Sequence, residues 1–138
     1  MRYNNKMLWS LPALALGLGL SAQASAATLD EVKERGELRC GVNVGLSGFS
    51  SPDENGTWQG LDVETCRGIA AAVLGDPEAV SFTPLTAKER FTALQSGEID
   101  VLSRNTTWTA TRDNSLGLNF TATTCYDGQG FLVAKDLG

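Results

Sequence analysis

The sequence predicts an α/β fold with a mostly parallel β-sheet flanked by helices. Apolar residues in 62–74 recur three and four positions apart, which is the spacing of one helix face. Short apolar segments typical of strands lie before and after it, at 38–44 and 80–85. Strands that alternate with helices of this length form parallel sheets through right-handed crossovers, and ligands bind beyond the carboxyl ends of such strands.

The first 26 residues have the pattern of a secretory signal peptide. Arg2 and Lys6 give a positive start, residues 7–20 are apolar, and Ala24-Ser25-Ala26 is a small-residue cleavage site. The apolar run is about fourteen residues, whereas a membrane-spanning helix needs roughly twenty; an uncleaved membrane anchor is the alternative. We therefore expect a mature chain that begins near Ala27 in an extracytoplasmic compartment; the family resemblance given below specifies the periplasm.

Composition excludes several classes of partner. Without the predicted signal peptide the chain has nine basic and sixteen acidic residues, a net charge of −7, and no basic stretch for nucleic acid. It has no histidine and no Cys-x-x-Cys pair, so we expect no metal site. The remaining 112 residues suit one small domain or part of a larger one.

Three cysteines, Cys40, Cys66 and Cys125, would lie in an oxidising compartment. A bridge between Cys40 and Cys66 would join a predicted strand to the helix that follows it. Three unpaired buried thiols are the alternative, and the spacing does not decide between the two.

The first elements carry local signals. Thr28-Leu29-Asp30-Glu31 is a capping box that predicts the start of a short helix, which Gly36 ends, and residues 38–44 follow as a strand. Asn55-Gly56 predicts a tight hairpin turn with positive φ at both residues. Asp53-Glu54-Asn55-Gly56 lacks the alternating acidic ligands of a calcium loop.

The later elements follow the same alternation. Gly75 and Pro77 end the long helix, and residues 80–85 form the second strand. Thr86-Ala87-Lys88-Glu89 is a capping box for a helix with Phe91 and Leu94 inward, and residues 99–102 form the third strand. We expect a turn at 113–115, a short apolar piece at 116–120 and a glycine-punctuated extended segment at 126–133.

A polar cluster, residues 105–112, follows the third strand directly. The fork of donors on Arg112 can hold both oxygens of a small carboxylate, and Thr107 offers a hydroxyl beside it. This chemistry suits a free amino acid or a similar small anion. The alternatives are a solvated Arg112 at a helix start, and Thr107 and Thr109 acting only as helix caps.

Three motifs resemble the periplasmic solute-binding proteins of polar amino-acid ABC importers, family 3. Gly60-Leu61-Asp62-Val63-Glu64 is similar to the family's signature at the first long helix, although Thr65 replaces a usual apolar residue. Residues 86–97 and 103–109 resemble the general L-amino-acid-binding subgroup more closely.

This resemblance implies the type II fold of that family, in which two α/β lobes enclose the ligand. Residues 27–138 would form the first part of lobe one and end in a crossing strand. The resemblance implies a monomeric receptor that binds free L-amino acids of broad specificity, delivers them to an inner-membrane ABC permease and needs no cofactor.

The resemblance also implies roles for residues. Arg112 is similar to the arginine that grips the ligand α-carboxylate, Thr107 to its hydroxyl and N–H partner, and Asn105 to a residue whose carbonyl accepts from the α-ammonium. In this loop the family places an acidic residue and an aromatic ring against the ligand. Here Asn43 stands in place of the acidic residue and Leu46 in place of the aromatic one, so Phe49 is the aromatic ring nearest to that position. This neutral loop favours broad specificity.

The sequence leaves two alternative roles open for each of two further side chains, Arg90 and Trp108. Arg90 corresponds to a side-chain contact of some acidic-amino-acid binders, or is an exposed helix residue. Trp108 packs on the lobe surface or stacks on the ligand.

Two other functions are compatible with the same fold: an amino-acid sensor module, and a periplasmic dehydratase of cyclic acids. An enzyme needs a poised acid or base. The chain has no histidine, and Asp100 and Asp113 show no evident pairing in the sequence. We therefore expect a binding protein rather than an enzyme.

Overall fold

The computed structural model describes residues 24–130 and 132–135. Most of the predicted signal peptide, residues 1–23, lies outside the described residues, so that prediction stays a prediction. The described helices are α1 (Ala24–Arg35), α2 (Leu61–Leu74), α3 (Arg90–Gln95) and α4 (Ala110–Ser115). The strands are β1 (Leu38–Asn43), β2 (Ser51–Pro52), β3 (Trp58–Gln59), β4 (Val80–Leu85) and β5 (Val101–Leu102).

The predicted parallel sheet is confirmed. Its order is β4-β1-β5, and β1 pairs in parallel with both neighbours. Leu38 lies opposite Val80 and Asn43 opposite Leu85, while Cys40 lies opposite Val101. The carboxyl ends of all three strands therefore meet at one edge, called here the carboxyl edge.

Helices cover both faces of β1. Cys40 and Val42 point to one face and pack with Val63 and Cys66 of α2. Because side chains alternate along a strand, Gly41 points to the other face, where an added Cβ would lie 2.5 Å from Cδ1 of Ile99. Ile99 packs there with Leu85 and Ala93. The flanked sheet is thus built from the predicted helix faces.

Cys40 and Cys66 form a disulfide, which decides the question that the sequence left open. The bond joins the central strand to α2, with both residues fully buried and their Cα atoms 6.3 Å apart. Cys125 is a free, exposed cysteine.

Gly60 is required at the start of α2. It caps the helix with φ 117°, a region that L side chains rarely adopt, and an added Cβ would lie 2.5 Å from the backbone carbonyl of Phe49. The same carbonyl accepts a hydrogen bond from the N–H of Asp62 at 2.9 Å. The loop after β1 is therefore fixed against the helix start.

Two local predictions at the amino-terminal end need correction. Helix α1 begins at Ala24, so Thr28 lies inside the helix rather than capping it. The hairpin of β2 and β3 is present, but Asn55 does not have positive φ; only Gly56 does, at 82°. The loop is longer than predicted because Asp53 Oδ1 accepts from the N–H groups of Asn55 and Thr57, both at 2.8 Å.

The carboxyl-terminal part also differs from the sequence prediction. Glu89 accepts from the hydroxyl and N–H of Thr86, but Arg90 and Ala93 are the buried residues of α3, while Phe91 and Leu94 are half-buried. The predicted turn at 113–115 is the last turn of α4. Residues 118–130 carry no regular secondary structure, since no described strand pairs with them. The crossing strand stays a prediction.

Asp62 is a buried charge in the first turn of α2. It is 3% exposed, and its Oδ2 atom has no hydrogen-bond partner among the described residues. Burial raises the pKa of this carboxyl, and the nearby Arg104 guanidinium opposes the rise.

No helix in the described part of the chain is long and apolar enough to cross a membrane.

We expect loss of the disulfide to destabilise the protein strongly. The cysteines are 26 positions apart, and closing a loop of that size contributes about 3 kcal/mol to the free energy of unfolding. Chemical unfolding of a Cys40→Ala/Cys66→Ala variant measures the loss. Cys125→Ala is the matched control and should change the value by less than about 0.5 kcal/mol. Equal effects of the two changes would contradict the assignment.

Asp62 should make stability depend on pH. Because its folded pKa is raised, the folded state holds this proton more tightly than the unfolded chain. The protein should therefore lose stability relative to Asp62→Asn as pH rises above about 3.8, the ordinary value, until the folded carboxyl is ionised. Urea unfolding of both proteins between pH 3.5 and 7 measures this difference, and Glu54→Gln in the exposed hairpin corrects for losing one charge. If the free energy of unfolding of the parent protein instead rises relative to that of Asp62→Asn as the pH increases, the prediction is wrong.

Candidate functional site

The predicted site residues at the carboxyl edge come together around Asn105. Asn43 ends β1, and its Nδ2 donates to Asn105 Oδ1 at 3.0 Å. Arg104, next to Asn105, donates from Nε and Nη2 to the same Oδ1 at 3.3 and 3.1 Å. Nη1 of Arg104 donates to the carbonyl of Leu85, the last residue of β4, at 2.6 Å. Asn105 and Arg104, which follow β5, thus connect the carboxyl ends of β1 and β4: Asn105 bonds to Asn43, and Arg104 bonds to Leu85.

Arg90 is a buried charge, not an exposed helix residue. It is 8% exposed, and its Nη1 donates to the Asn105 carbonyl and to Thr106 Oγ1, both at 3.3 Å. Its Nε is buried and has no hydrogen-bond partner in residues 24–130 and 132–135. The guanidinium carbon lies 4.7 Å from the centre of the Phe91 ring. Arg90 therefore has unused donor capacity at the carboxyl edge.

Arg112 lies against the same aromatic ring. Its guanidinium carbon is 5.5 Å from the Phe91 centre, and Nη1 donates to the Thr107 carbonyl at 2.7 Å. The other N–H groups of the Arg112 guanidinium donate no hydrogen bond to any described residue. Thr109 caps α4, because its Oγ1 accepts from the Arg112 N–H at 3.3 Å, so the capping alternative holds for Thr109 and not for Thr107.

The carboxyl edge holds three positive charges close together. Burial lowers the pKa of Arg90, and the charges of Arg104 and Arg112 lower it further. Burial also lowers the pKa of Arg104, against the opposing charge of Asp62. Among the described residues, no carboxylate forms a salt bridge with any of the three arginines. Such a cluster favours an anion.

Carboxylates balance the other described arginines of the sheet layer. Asp100, whose side chain is 3% exposed, pairs with Arg35 and with Nη2 of Arg39, the latter at 2.7 Å. This pairing corrects the expectation that Asp100 has no partner; the partner lies 61 residues away in sequence. Asp100 precedes β5 and therefore lies at the opposite edge of the sheet from Asn105.

Phe49 is less closely connected to the site. It is half-buried in the loop after β1, and its backbone bonds to Leu46 and to the start of α2. No described hydrogen bond joins it to the arginine cluster. Trp108 stacks on Phe120 with ring centres 5.4 Å apart, which is the packing alternative.

A cavity of about 570 Å³ lies beside β5. Residues 100–108 and 118–127 line it, together with five residues of α2 and α3: Asp62, Thr65, Ile69, Phe91 and Leu94. It reaches Asn105 and Thr107, whereas Arg90 and Arg112 are not part of its lining. We found no group of three or more potential metal ligands in the part of the chain that the structure describes.

Sequence reasoning missed two residues of this site, Arg104 and Phe91. Arg104 lies inside the motif 103–109, directly after β5, so its position next to Asn105 was a usable signal. Phe91 follows Arg90 in α3, and the second guanidinium against its ring, that of Arg112, lies 21 residues further along the chain. Such contacts leave no local pattern.

Curated proteins with similar sequences are amino-acid-binding proteins by name. The chain is 60% identical over 134 residues to the general L-amino acid-binding periplasmic protein AapJ of Rhizobium johnstonii, covering 96% of this chain and 39% of that protein. It is 58% identical over 126 residues to the glutamate/glutamine/aspartate/asparagine-binding protein BztA of Rhodobacter capsulatus, covering 91% and 37%. The chain thus spans about two-fifths of the length of these relatives.

Solved structures show the same fold. A periplasmic binding protein of an ABC transporter from Brucella ovis, with glutathione bound, matches with a TM-score of 0.66 and 66% identity over 67% of this chain and 29% of that one. The arginine-bound form of domain 1 from TmArgBP matches with a TM-score of 0.54 and 32% identity, over 60% and 64% of the two chains.

Residues 38–138 match the family described as bacterial extracellular solute-binding proteins, family 3. This match covers most of the chain and agrees with the parallel sheet and the motifs at 60–64 and 103–109. The chain therefore belongs to the bacterial extracellular solute-binding proteins of family 3.

Proposed function

We propose that this chain forms the carboxylate-gripping part of a periplasmic receptor for free L-amino acids of broad specificity. The receptor delivers its ligand to an inner-membrane ABC permease, acts as a monomer, and is not an enzyme. The proposal rests on one observation above all: three guanidinium groups meet at the carboxyl edge with no carboxylate paired to them among the described residues.

Each proposed contact uses a free donor or acceptor. The fork of Arg112 holds the α-carboxylate, and the Thr107 hydroxyl donates beside it. The Asn105 carbonyl accepts from Arg90 through one lone pair, and its second lone pair takes the α-ammonium. Arg90 supplies further positive charge near the anionic end.

The neutral loop near Asn43 supports broad specificity. Asn43 uses its amide to bind Asn105 and the N–H of Gly45, so it presents no charge to a ligand side chain. Phe49 offers an aromatic ring from the same loop. A site without a charged residue at this position does not require one type of ligand side chain.

The names of the relatives support the ligand class. AapJ is called a general L-amino acid-binding protein, and BztA is named for four amino acids. The Brucella ovis protein holds glutathione, which carries a free α-amino acid group at its glutamyl end. Domain 1 from TmArgBP was solved in an arginine-bound form, which supports the idea that a first lobe carries the principal contacts.

A dehydratase on this fold is the second candidate, since an ancestral cyclohexadienyl dehydratase is a structural neighbour at 32% identity and a TM-score of 0.54. A catalytic acid must reach its substrate. Asp62 is the carboxyl whose pKa burial raises, yet it is 3% exposed at the start of α2. Release of a dehydrated product from a cyclohexadienyl acid would favour this candidate.

Arg112→Ala should weaken amino-acid binding at least about 30-fold, because the ligand carboxylate would lose its charged partner, which costs about 2 kcal/mol or more. Isothermal titration calorimetry with L-glutamate and L-glutamine on the full receptor chain carrying this sequence measures the change.

Arg39→Gln is the matched control for this change. Arg39 has the same side chain but lies at the opposite edge of the sheet, paired with Asp100. We expect its ligand affinity to stay within about twofold of the parent, as for a residue outside the site. An unchanged affinity of the Arg112→Ala variant would refute the assignment of the clamp.

A further inference from the structure

Arg104 connects the ends of two strands without an ion pair. Its Nη1 donates to the Leu85 carbonyl, and its Nε and Nη2 donate to Asn105 Oδ1. All three nitrogens of the half-buried guanidinium thus bond to acceptors of the protein itself. Arg104 therefore differs from Arg112, whose fork keeps donors free at the carboxyl edge.

The acceptor that Arg104 holds is already bound from the other side. Asn43 Nδ2 donates to the same Oδ1 of Asn105 at 3.0 Å. Asn43 is itself fixed, since its N–H donates to the Oγ atom of the fully buried Ser50 at 3.1 Å. The side chain of Asn105 is consequently held between β1 and the Arg104 fork.

Fixing this side chain also fixes the peptide group that follows it. The Asn105 carbonyl accepts from Arg90 at the carboxyl edge, and it leads directly to Thr106 and Thr107. Asn105 lies in an irregular segment between β5 and α4, so no ladder or helical hydrogen bond holds its backbone. Hydrogen bonds from a charged donor are roughly twice as strong as neutral ones, and they replace that missing restraint.

Asp62 supports the charge of Arg104 from inside the protein. Its buried carboxyl interacts through space with this guanidinium and opposes the lowering of the Arg104 pKa by burial. The charge of Arg104 is thus balanced from within, whereas no described carboxylate opposes Arg90 or Arg112 at the edge.

We propose that Arg104 is a positioning residue of the ligand site: it does not touch the ligand but holds Asn105, and so sets the direction of the Asn105 carbonyl. The inference rests on the proposed function, because the Asn105 carbonyl matters only if a ligand ammonium binds there. Losing the fork leaves the Asn105 side chain held by Asn43 alone, while the Asn105 carbonyl keeps its hydrogen bond from Arg90.

A double-mutant cycle tests this role. We expect Arg104→Gln to raise the Kd for L-glutamate and for L-glutamine about tenfold, and Asn105→Ala to raise it by a similar factor. In the Asn105→Ala background, Arg104→Gln should add less than about twofold, because Arg104 acts through Asn105. Calorimetry on the full receptor chain gives the four Kd values, and Arg67→Gln, an arginine paired with Glu64, is the control.

Independent effects would overturn the proposal. If Arg104→Gln weakens binding tenfold in both backgrounds, Arg104 contacts the ligand itself; if it changes neither Kd, it positions nothing. Failure of the parent protein to bind either amino acid would instead refute the proposed function.

A spectroscopic measurement separates positioning from folding. In the ligand-free protein, the side-chain amide signals of Asn105 and Asn43 should shift in Arg104→Gln, while the backbone amides of α2 stay in place. Arg104→Lys keeps the charge without the fork, so it should reproduce most of the rise in Kd. Full affinity in Arg104→Lys, or unmoved amide signals in Arg104→Gln, would contradict the role.

Discussion

Three like charges held near one another need an anion, and this requirement governs the carboxyl edge of the sheet. Arg90 and Arg112 lie 4.7 and 5.5 Å from the centre of one aromatic ring, and the charge of Arg104 is near enough to lower the pKa of Arg90. Burial of Arg90 makes this repulsion costlier, because the site has less water to screen it. A carboxylate bound at this edge, as the proposed function requires, would relieve the repulsion.

The parallel sheet makes this arrangement possible because the arginines at the amino ends of its strands form salt bridges, whereas those at the carboxyl ends form none with the described residues. At the amino ends of the strands, Asp100 forms salt bridges with both Arg35 and Arg39, and on α2 Glu64 pairs with Arg67. At the carboxyl ends no described carboxylate forms a salt bridge with Arg90 or Arg112, and the buried Asp62 acts on Arg104 through space. The disulfide from Cys40 to Cys66 and the close approach of Gly60 to Phe49 hold β1, α2 and the first loop in register.

The sequence predicted what depends on near neighbours along the chain. The period of 62–74 predicted α2 and its buried face, and the alternation of strands and helices predicted that the polar residues after β5 lie at the carboxyl edge. It failed where a distant residue decides the outcome. Asp100 finds its partner Arg39 61 residues away, and Arg104 reaches Leu85 across 19 residues. None of these contacts leaves a repeating pattern.

Changing the ligand rather than the protein tests the central claim most directly. The full receptor chain is titrated with L-glutamine and with its α-amide, which keeps the ammonium and side chain but lacks the negative charge. If the arginine cluster grips the carboxylate, the amide should bind at least about 100-fold more weakly. Removing the negative charge of the ligand leaves the guanidinium groups of the site without a charged partner. Equal affinity for the acid and the amide would show that the guanidinium groups do not hold the ligand.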